Sequence, residues 1–214
     1  FIHLLDGHSG HSPRTLHRYL SNSPQFFNEV LSCGYPSRES EAEEVEEQES
    51  TDHQRYMAKH AYRLLHDWSL LPGTNEDDSV DEGQLREWCN DARRIADASG
   101  RLEVCDSHIG QLFARCKAKD SDGKWPCTAV RRVAGEIASD SLRSGMYCGI
   151  KNLRGAAFRA SGSDQERALA DDFRAKADRI LFDSVFVAEI LDSVAQSYDR
   201  EAKWWDERDR WESR

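Results

Sequence analysis

The sequence lacks the features that mark a membrane protein, a sheet protein or a familiar enzyme. No apolar run approaches the ~18 residues of a membrane span. No stretch of four or more residues alternates strictly between polar and apolar with β-branched enrichment, so little or no sheet is expected. The sequence contains none of the phosphate-binding, dinucleotide-binding and serine-nucleophile motifs G-x-x-x-x-G-K-[ST], G-x-G-x-x-G and G-x-S-x-G. No pair of carboxylates stands in an apolar context suited to acid–base catalysis. These absences predict a non-catalytic chain that needs no cofactor.

A surplus of positive charge is also lacking. The 29 Lys and Arg face 39 Asp and Glu, a formal net charge of −10, which argues against a general nucleic-acid binder. The acidity is local, because residues 39–49 hold seven Glu and residues 76–82 hold five acids, with no base in either stretch. Without these 12 acids the chain would carry +2, which leaves room for a local anion site. The first stretch has too little apolar surface to offset its ordering entropy, so we predict a mobile loop.

Metal and disulfide frameworks are poorly supported. The six cysteines include no C-x-x-C pair, and we expect reduced core thiols in a cytoplasmic protein. Cys105 and Cys116 are eleven residues apart, about three helical turns, so a shared buried face is expected. His8 and His11 are three residues apart in a Gly- and Ser-containing stretch where Asp6 is the nearest acid. An ordinary loop is favoured there over a zinc or nickel site, and no metal is expected.

Helical periodicity with start and stop signals recurs along the chain. It predicts an all-α fold of about eight helices, in an irregular bundle or a solenoid-like array. Three domain ranges follow, namely an N-terminal helical segment 1–34, an acidic flexible loop 35–50 and a main helical domain 51–214. The clearest local signals are Ser23-Pro24 as a helix start, Gly34-Tyr35-Pro36 as a stop, helices over 51–70, 81–98 and 185–212, a cap at Asp106 or Ser107, and a capping box from Ser163 to Glu166.

The segment Gly149–Gly155 is the main polar candidate. Lys151, Asn152 and Arg154 lie between glycines, and Arg159 follows one turn later. Such a loop is suited to holding a phosphate or a partner's carboxylate. The alternative is a structural loop whose Asn and glycines adopt left-handed backbone conformations.

The end of the last predicted helix is rich in tryptophan. Trp204 and Trp211 are seven residues apart and share one face, whereas Trp205 continues the stripe of Tyr198. One face can pack on the domain while the other stays exposed, and an exposed aromatic patch usually marks an interface. We therefore predict an interface at these four residues, with simple packing as the alternative.

Several segments together resemble the C-terminal helical region of very large bacterial proteins of uncharacterised function. The segments are Pro24-Gln25-Phe26-Phe27 through Ser32, Ala61-Tyr62-Arg63-Leu64-Leu65 through Trp68, Gly100-Arg101-Leu102-Glu103-Val104, Ile109-Gly110-Gln111, Asp122-Gly123-Lys124-Trp125-Pro126, Asn152-Leu153-Arg154-Gly155, Gln165-Glu166-Arg167 and Ser197-Tyr198-Asp199-Arg200-Glu201-Ala202. The resemblance covers most of the chain in order and brings no catalytic residues. It implies a piece of a larger bacterial protein, by analogy a sensor or scaffold in a defence locus. The apolar spacing from Phe1, with no cap before it, fits a helix continuing from an upstream region.

Three functional hypotheses result. The first is a non-catalytic module that binds a protein partner, another copy of itself or upstream domains of the same polypeptide, through the last helix. The second is a regulatory domain that senses a phosphate-containing ligand or nucleic acid through the Lys151–Arg159 loop. A metal-dependent hydrolase that uses His8 and His11 is the least favoured. No membrane partner is expected, and nucleic acid is a less favoured one.

Overall fold

The computed structural model describes residues 14–35, 49–154 and 163–212, and within these ranges the fold is all-α. The only extended pairing in the same ranges is an isolated bridge between Thr74 and Val80. The fold class is confirmed. Most of the predicted acidic loop, including residues 36–48, lies outside the described residues. The nine described helices are α1 Arg14–Asn22, α2 Pro24–Gly34, α3 Glu49–Asp67, α4 Glu82–Ala98, α5 Leu102–Ala114, α6 Thr128–Ile137, α7 Asp140–Leu153, α8 Asp164–Ile180 and α9 Val185–Glu212.

The ends of α2 and α4 follow signals that are visible in the sequence. Ser23 Oγ accepts a hydrogen bond from the Phe26 amide at 3.1 Å, and Pro24 takes the first helical position. The Asp81 side chain caps α4 in the same way. Gly100 follows α4 with φ +66°, a conformation that glycine adopts without steric cost. These predicted boundaries are confirmed.

The predicted cap at Asp106 or Ser107 is wrong, because α5 begins at Leu102 and both residues lie inside it. The buried Asp106 carboxylate serves a different purpose. It accepts hydrogen bonds from Arg93 Nε at 2.7 Å and from Ser139 Oγ at 2.7 Å. This clamp ties α4 and the start of α7 to α5.

The predicted capping box at α8 is also wrong, although the helix does start directly after Ser163. No side-chain cap bond forms there. The Ser163 hydroxyl donates instead to Asp206 Oδ1 at 2.5 Å, and the buried Glu166 carboxylate accepts from Arg154 at 2.9 Å. Both side chains therefore form tertiary contacts instead of capping the start of α8.

An aromatic centre joins the first four helices. The rings of Phe27, Trp68 and Trp88 lie 5.1 to 5.6 Å apart between centroids. The indole of Trp88 donates to the Leu20 carbonyl, and that of Trp68 donates to Ser21 Oγ, both at 3.1 Å. Because the indole N–H groups find partners, the tryptophans can be buried without a desolvation penalty. α1 and α2 thus share one core with α3 and α4.

Helices α5 and α7 cross at three glycines. A Cβ atom on Gly145 would overlap the Ser107 carbonyl, and one on Gly110 would overlap the Leu142 carbonyl. At Gly149 an added Cβ would lie 2.7 Å from the Ala114 Cβ. The missing side chains allow the two backbones to touch. The prediction of a loop that starts at Gly149 is therefore wrong as far as Leu153, since Gly149 lies inside α7 and serves helix packing.

The cysteines divide into two groups. All six are free; Cys89, Cys105, Cys116 and Cys127 are buried, whereas Cys33 and Cys148 are exposed. The expectation of core thiols therefore holds for four of them. Because α5 ends at Ala114, Cys105 and Cys116 do not share a helix face as predicted.

Acid is expected to destabilise the fold through His108. Burial lowers the pKa of His108 from 6.5 to about 4, with a smaller contribution from Arg115. The unfolded chain therefore binds this proton first, so the stabilisation is fully present above pH 6.5 and is lost as the pH falls toward 4. The shift corresponds to about 3 kcal/mol.

Replacing His108 with Gln should flatten the dependence of the free energy of unfolding on pH between 6.5 and 4. Urea titrations across that range measure it. The matched control is His66→Gln at an exposed position, which should leave the slope unchanged. Some slope remains from His17, whose pKa is also lowered by burial. An identical slope in the His108 variant and the parent would contradict the assignment.

Candidate binding groove

A groove of about 320 Å³ opens between α7, α8 and α9, beside the loop that joins α5 to α6. Its walls are mainly apolar, and every charged residue that lines it is a cation. The groove is lined by Lys119, Trp125, Ile150, Leu153, Arg154, Leu169, Phe173, Lys176 and Tyr198. An apolar concavity with a few polar groups at its edge is the usual form of a binding site.

Helical spacing places most of the groove wall. Ile150 and Leu153 come from the last turn of α7, where Leu153 is 57% exposed. Phe173 on α8 stacks on Tyr198 of α9 with ring centroids 5.9 Å apart. A leucine with this much exposed surface beside two aromatic rings is a ready contact for an apolar partner group.

The α5–α6 loop supplies the remaining wall through Trp125. Its indole donates to the Cys116 carbonyl at 2.7 Å, which fixes the ring relative to the end of α5. Asp120 holds the other end of the loop, because its carboxylate accepts from the Thr128 amide at 2.8 Å and from Arg131 at 2.8 Å. The pKa of Asp120 is lowered overall, with these hydrogen bonds outweighing its partial burial. The loop is therefore anchored at both ends.

The structure brings two sequence-predicted sites together at the groove floor. Lys151 Nζ lies 3.6 Å from the centroid of the Tyr198 ring, and the Arg154 guanidinium lies 5.4 Å from it. Tyr198 is only 1% exposed. The ring forms a floor that the two cations cover, so Tyr198, which was predicted as an interface residue, offers little surface of its own to a partner. Burial raises the pKa of Tyr198, which keeps the phenol neutral at physiological pH.

Both of these cations already have carboxylate partners. Lys151 pairs with Glu201 at 2.5 Å, and Arg154 pairs with the buried Glu166 at 2.9 Å. The hydrogen bond to Glu166 is the main cause of the raised pKa of Arg154. A phosphate would have to displace these glutamates, so the pairing argues against the predicted anion site.

The segment that was predicted as a phosphate-binding loop is helical as far as Leu153, where α7 ends. Lys151 and Asn152 lie in the last turn of α7, where Asn152 is exposed. Arg159 lies outside the described residues. Only Arg154 of the four predicted binding residues lines the groove.

The predicted tryptophan interface is divided along α9. Trp204 is 54% exposed and Trp211 76% exposed, whereas Trp205 is half-buried. Trp204 and Trp205 meet edge to face at 4.3 Å, and Arg208 lies over both rings. The predicted difference between the two faces is therefore present, and it lies beyond the groove toward the end of the helix.

A second, more polar cleft of about 570 Å³ lies beside the same α5–α6 loop. Its charges pair with one another. Arg131 contacts Asp120 at 2.8 Å and Asp183 at 3.5 Å, and Lys124 contacts Asp183 at 2.8 Å. We interpret this cleft as a structural network that ties the loop to the α8–α9 turn.

Sequence reasoning missed the groove residues that lie away from the predicted sites. Trp125 was interpreted as a helix start, and Phe173 as a core residue. No local pattern joins residues 119–125 to α8, because their proximity depends on the packing of four elements. The one available signal was Leu153, an apolar residue between the predicted binding residues Asn152 and Arg154.

Neither a candidate metal centre nor a membrane span is present in the described residues. They contain no group of three or more His, Cys, Asp and Glu side chains placed to hold a metal ion. They also contain no helix that is both long and apolar enough to cross a membrane. The predicted metal candidates His8 and His11 lie outside the described residues.

Comparison with known proteins adds no family. No protein-family model matches the chain, and no curated protein or solved structure matches it.

Proposed function

We propose that this chain is a non-catalytic helical interaction module of a larger cytoplasmic bacterial protein, and that its groove binds an acidic, amphipathic segment of a protein partner. The observation that carries the proposal is the lining of the groove. Apolar and aromatic walls suit leucine or phenylalanine side chains, and the cationic rim suits neighbouring carboxylates.

The positive charge of the groove is local to its rim, whereas the whole chain is acidic. Lys119, Arg154 and Lys176 line the groove, and no acid does. Lys119 has no carboxylate of the described residues within ion-pair distance, whereas Lys176 pairs with the exposed Asp172 at 2.6 Å. Because Arg154 and Lys176 are already paired, we expect a partner's carboxylate to pair first with Lys119.

A protein segment is favoured over a phosphate-containing ligand for two reasons. The Lys151 and Arg154 side chains are already paired with Glu201 and Glu166. The free contact surface of the groove is instead apolar, with Leu153 and Phe173 among its walls. Trp204, which is 54% exposed, extends the aromatic surface further along α9.

The test measures fluorescence anisotropy of a short labelled peptide of Glu, Leu and Phe, with a second peptide carrying Lys in place of Glu. Only the acidic peptide should bind. Leu153→Asp should weaken binding about tenfold or more, because it places a charge on the apolar wall, and tenfold corresponds to ~1.4 kcal/mol. Lys119→Glu should weaken it by a smaller factor that shrinks at high salt.

Matched controls separate the groove from general effects. Leu181→Asp changes an exposed leucine in the α8–α9 turn, and Lys203→Glu reverses an exposed charge on α9. Neither residue lines the groove, so both variants should bind as the parent does. Equal weakening by Leu153→Asp and Leu181→Asp would overturn the proposal. Displacement of the peptide by inorganic pyrophosphate would favour the phosphate-sensing alternative instead.

A further inference from the structure

We propose that Cys116 and Cys127 are an oxidisable thiol pair that forms a reversible disulfide across the α5–α6 loop. The two Sγ atoms lie 3.8 Å apart, and both residues are buried. A disulfide needs about 2.05 Å, so each sulfur has to move by roughly 1 Å. A shift of this size within the α5–α6 loop does not require the helices to rearrange.

The surroundings of Cys127 make its sulfur the nucleophile of the pair. Cys127 immediately precedes α6, and the amides of Ala129 and Val130 lie in the first turn after it, without forming a side-chain cap hydrogen bond. Hydrogen bonding from the Cys116 thiol, reinforced by these amides, lowers the pKa of Cys127. The same contact and burial raise the pKa of Cys116. A thiolate beside a protonated thiol at a helix N-terminus is the arrangement of reactive dithiols.

The other buried cysteines lack this arrangement. Burial raises the pKa of Cys105 to about 12 and also raises the pKa of Cys89, so both stay protonated in the core. Cys116 also lines a small cleft of about 100 Å³ with Lys117 and Ala118. A molecule the size of hydrogen peroxide can reach Cys116 by that route, and the Cys127 sulfur lies 3.8 Å from the Cys116 sulfur.

The oxidation balances with hydrogen peroxide as the oxidant. The Cys127 thiolate attacks one peroxide oxygen, the O–O bond breaks, and hydroxide leaves as Cys127 becomes a sulfenic acid. Cys116 sulfur then attacks the sulfenyl sulfur, and the S–S bond forms as water is lost. The Cys116 proton leaves with the sulfenyl oxygen in that water, and the proton that Cys127 released on ionising neutralises the hydroxide. Two thiols and one peroxide thus give one disulfide and two waters, and an external dithiol reverses the step.

The disulfide would act on the groove, and this consequence rests on the function proposed above. Lys119 and Trp125 both lie between the two cysteines and both line the groove. The Trp125 indole is bonded to the Cys116 carbonyl. Drawing the two sulfurs together therefore moves the residues that set the groove's edge, so the oxidised protein should bind the acidic peptide with a different affinity.

The test uses the full chain with Cys33→Ser and Cys148→Ser, which removes the two exposed thiols. After hydrogen peroxide, thiol titration of the denatured protein should show the loss of two thiols. Non-reducing tryptic mapping should yield peptide 116–117 joined to peptide 125–131. Dithiothreitol should restore both thiols. Adding Cys127→Ser should abolish the linked peptide, whereas adding Cys89→Ser should leave it intact.

Two outcomes would overturn the proposal that Cys116 and Cys127 form a disulfide. One is loss of thiols at Cys89 and Cys105 with no linked 116–117 peptide. The other is conversion of Cys127 to sulfinic or sulfonic acid while Cys116 stays reduced. If the linked peptide forms but the parent protein binds no acidic peptide, the disulfide stands and the proposed function fails. If the linked peptide forms and the acidic peptide binds, but the acidic peptide has the same affinity for the reduced and the oxidised protein, control of the groove by the disulfide is refuted.

Discussion

Gly145→Ala is expected to lower the free energy of unfolding by about 3 kcal/mol or more. The added methyl would overlap the Ser107 carbonyl, carbonyl carbon and Cα, all of which belong to the α5 backbone. A backbone cannot rotate away as a flexible side chain can, so α5 and α7 must separate. Separation also opens the packing around Gly110 and Gly149. Equilibrium urea denaturation followed by circular dichroism measures the loss.

Gly135→Ala provides the matched control on a neighbouring helix. Gly135 lies within α6, and a Cβ there would meet no atom within 4 Å. Alanine should therefore stabilise the fold by about 0.5 to 1 kcal/mol through its better helix propensity. If both substitutions change stability by the same amount and in the same direction, the close crossing of α5 and α7 is not the reason for Gly145.

Asp106→Ala is expected to lower the free energy of unfolding by about 3 to 5 kcal/mol. The Asp106 side chain is 3% exposed, and it pairs with Arg93, whose side chain is 28% exposed. Removing the carboxylate leaves a partly buried guanidinium without its partner. It also deprives the Ser139 hydroxyl of its acceptor, although Ser139 can still cap α7 through the Leu142 amide. The same urea titration reports the change.

Glu136→Ala removes a carboxylate of similar geometry in a more exposed place. Glu136 accepts two hydrogen bonds from Arg86, both at 2.8 Å, but its side chain is 50% exposed. Arg86 also keeps Glu82 as a second partner. The loss should therefore stay below about 1 kcal/mol. Comparable losses for Asp106→Ala and Glu136→Ala would show that burial of the Arg93 pair contributes little.

Local chemistry predicted much of the secondary structure. The Ser23-Pro24 start, the end of α4 at Gly100 and the extent of α9 all depend on interactions within a few residues, and all three are as expected. α7 is absent from the helices predicted from the sequence, since Gly149 was assigned to a loop and Gly145 carries no local helix signal. Their actual role depends on α5, more than thirty residues away, and no local pattern carries that information.

The candidate site was predictable only in fragments. Lys151, Arg154 and Tyr198 were each selected from the sequence, but as parts of two separate sites. Their convergence depends on the packing of α7 against α9. The carboxylate of Glu166 was interpreted as part of a capping box, and that of Glu201 was assigned no role. The sequence alone therefore could not indicate that these acids pair with the cations of the predicted phosphate site.

The glycine crossing also provides a way to recognise descendants of the same ancestor. Surface charges and loop lengths can drift, but Gly110, Gly145 and Gly149 each occupy a point where a methyl group would meet the facing helix. Substitution there would have to be accompanied by changes in the opposite helix. The signature therefore has three points. One glycine lies on a first helix, as Gly110 does on α5, and two glycines four residues apart lie on the second helix after it, as Gly145 and Gly149 do on α7. Applied to helical sequences of otherwise low similarity, it selects for this crossing directly.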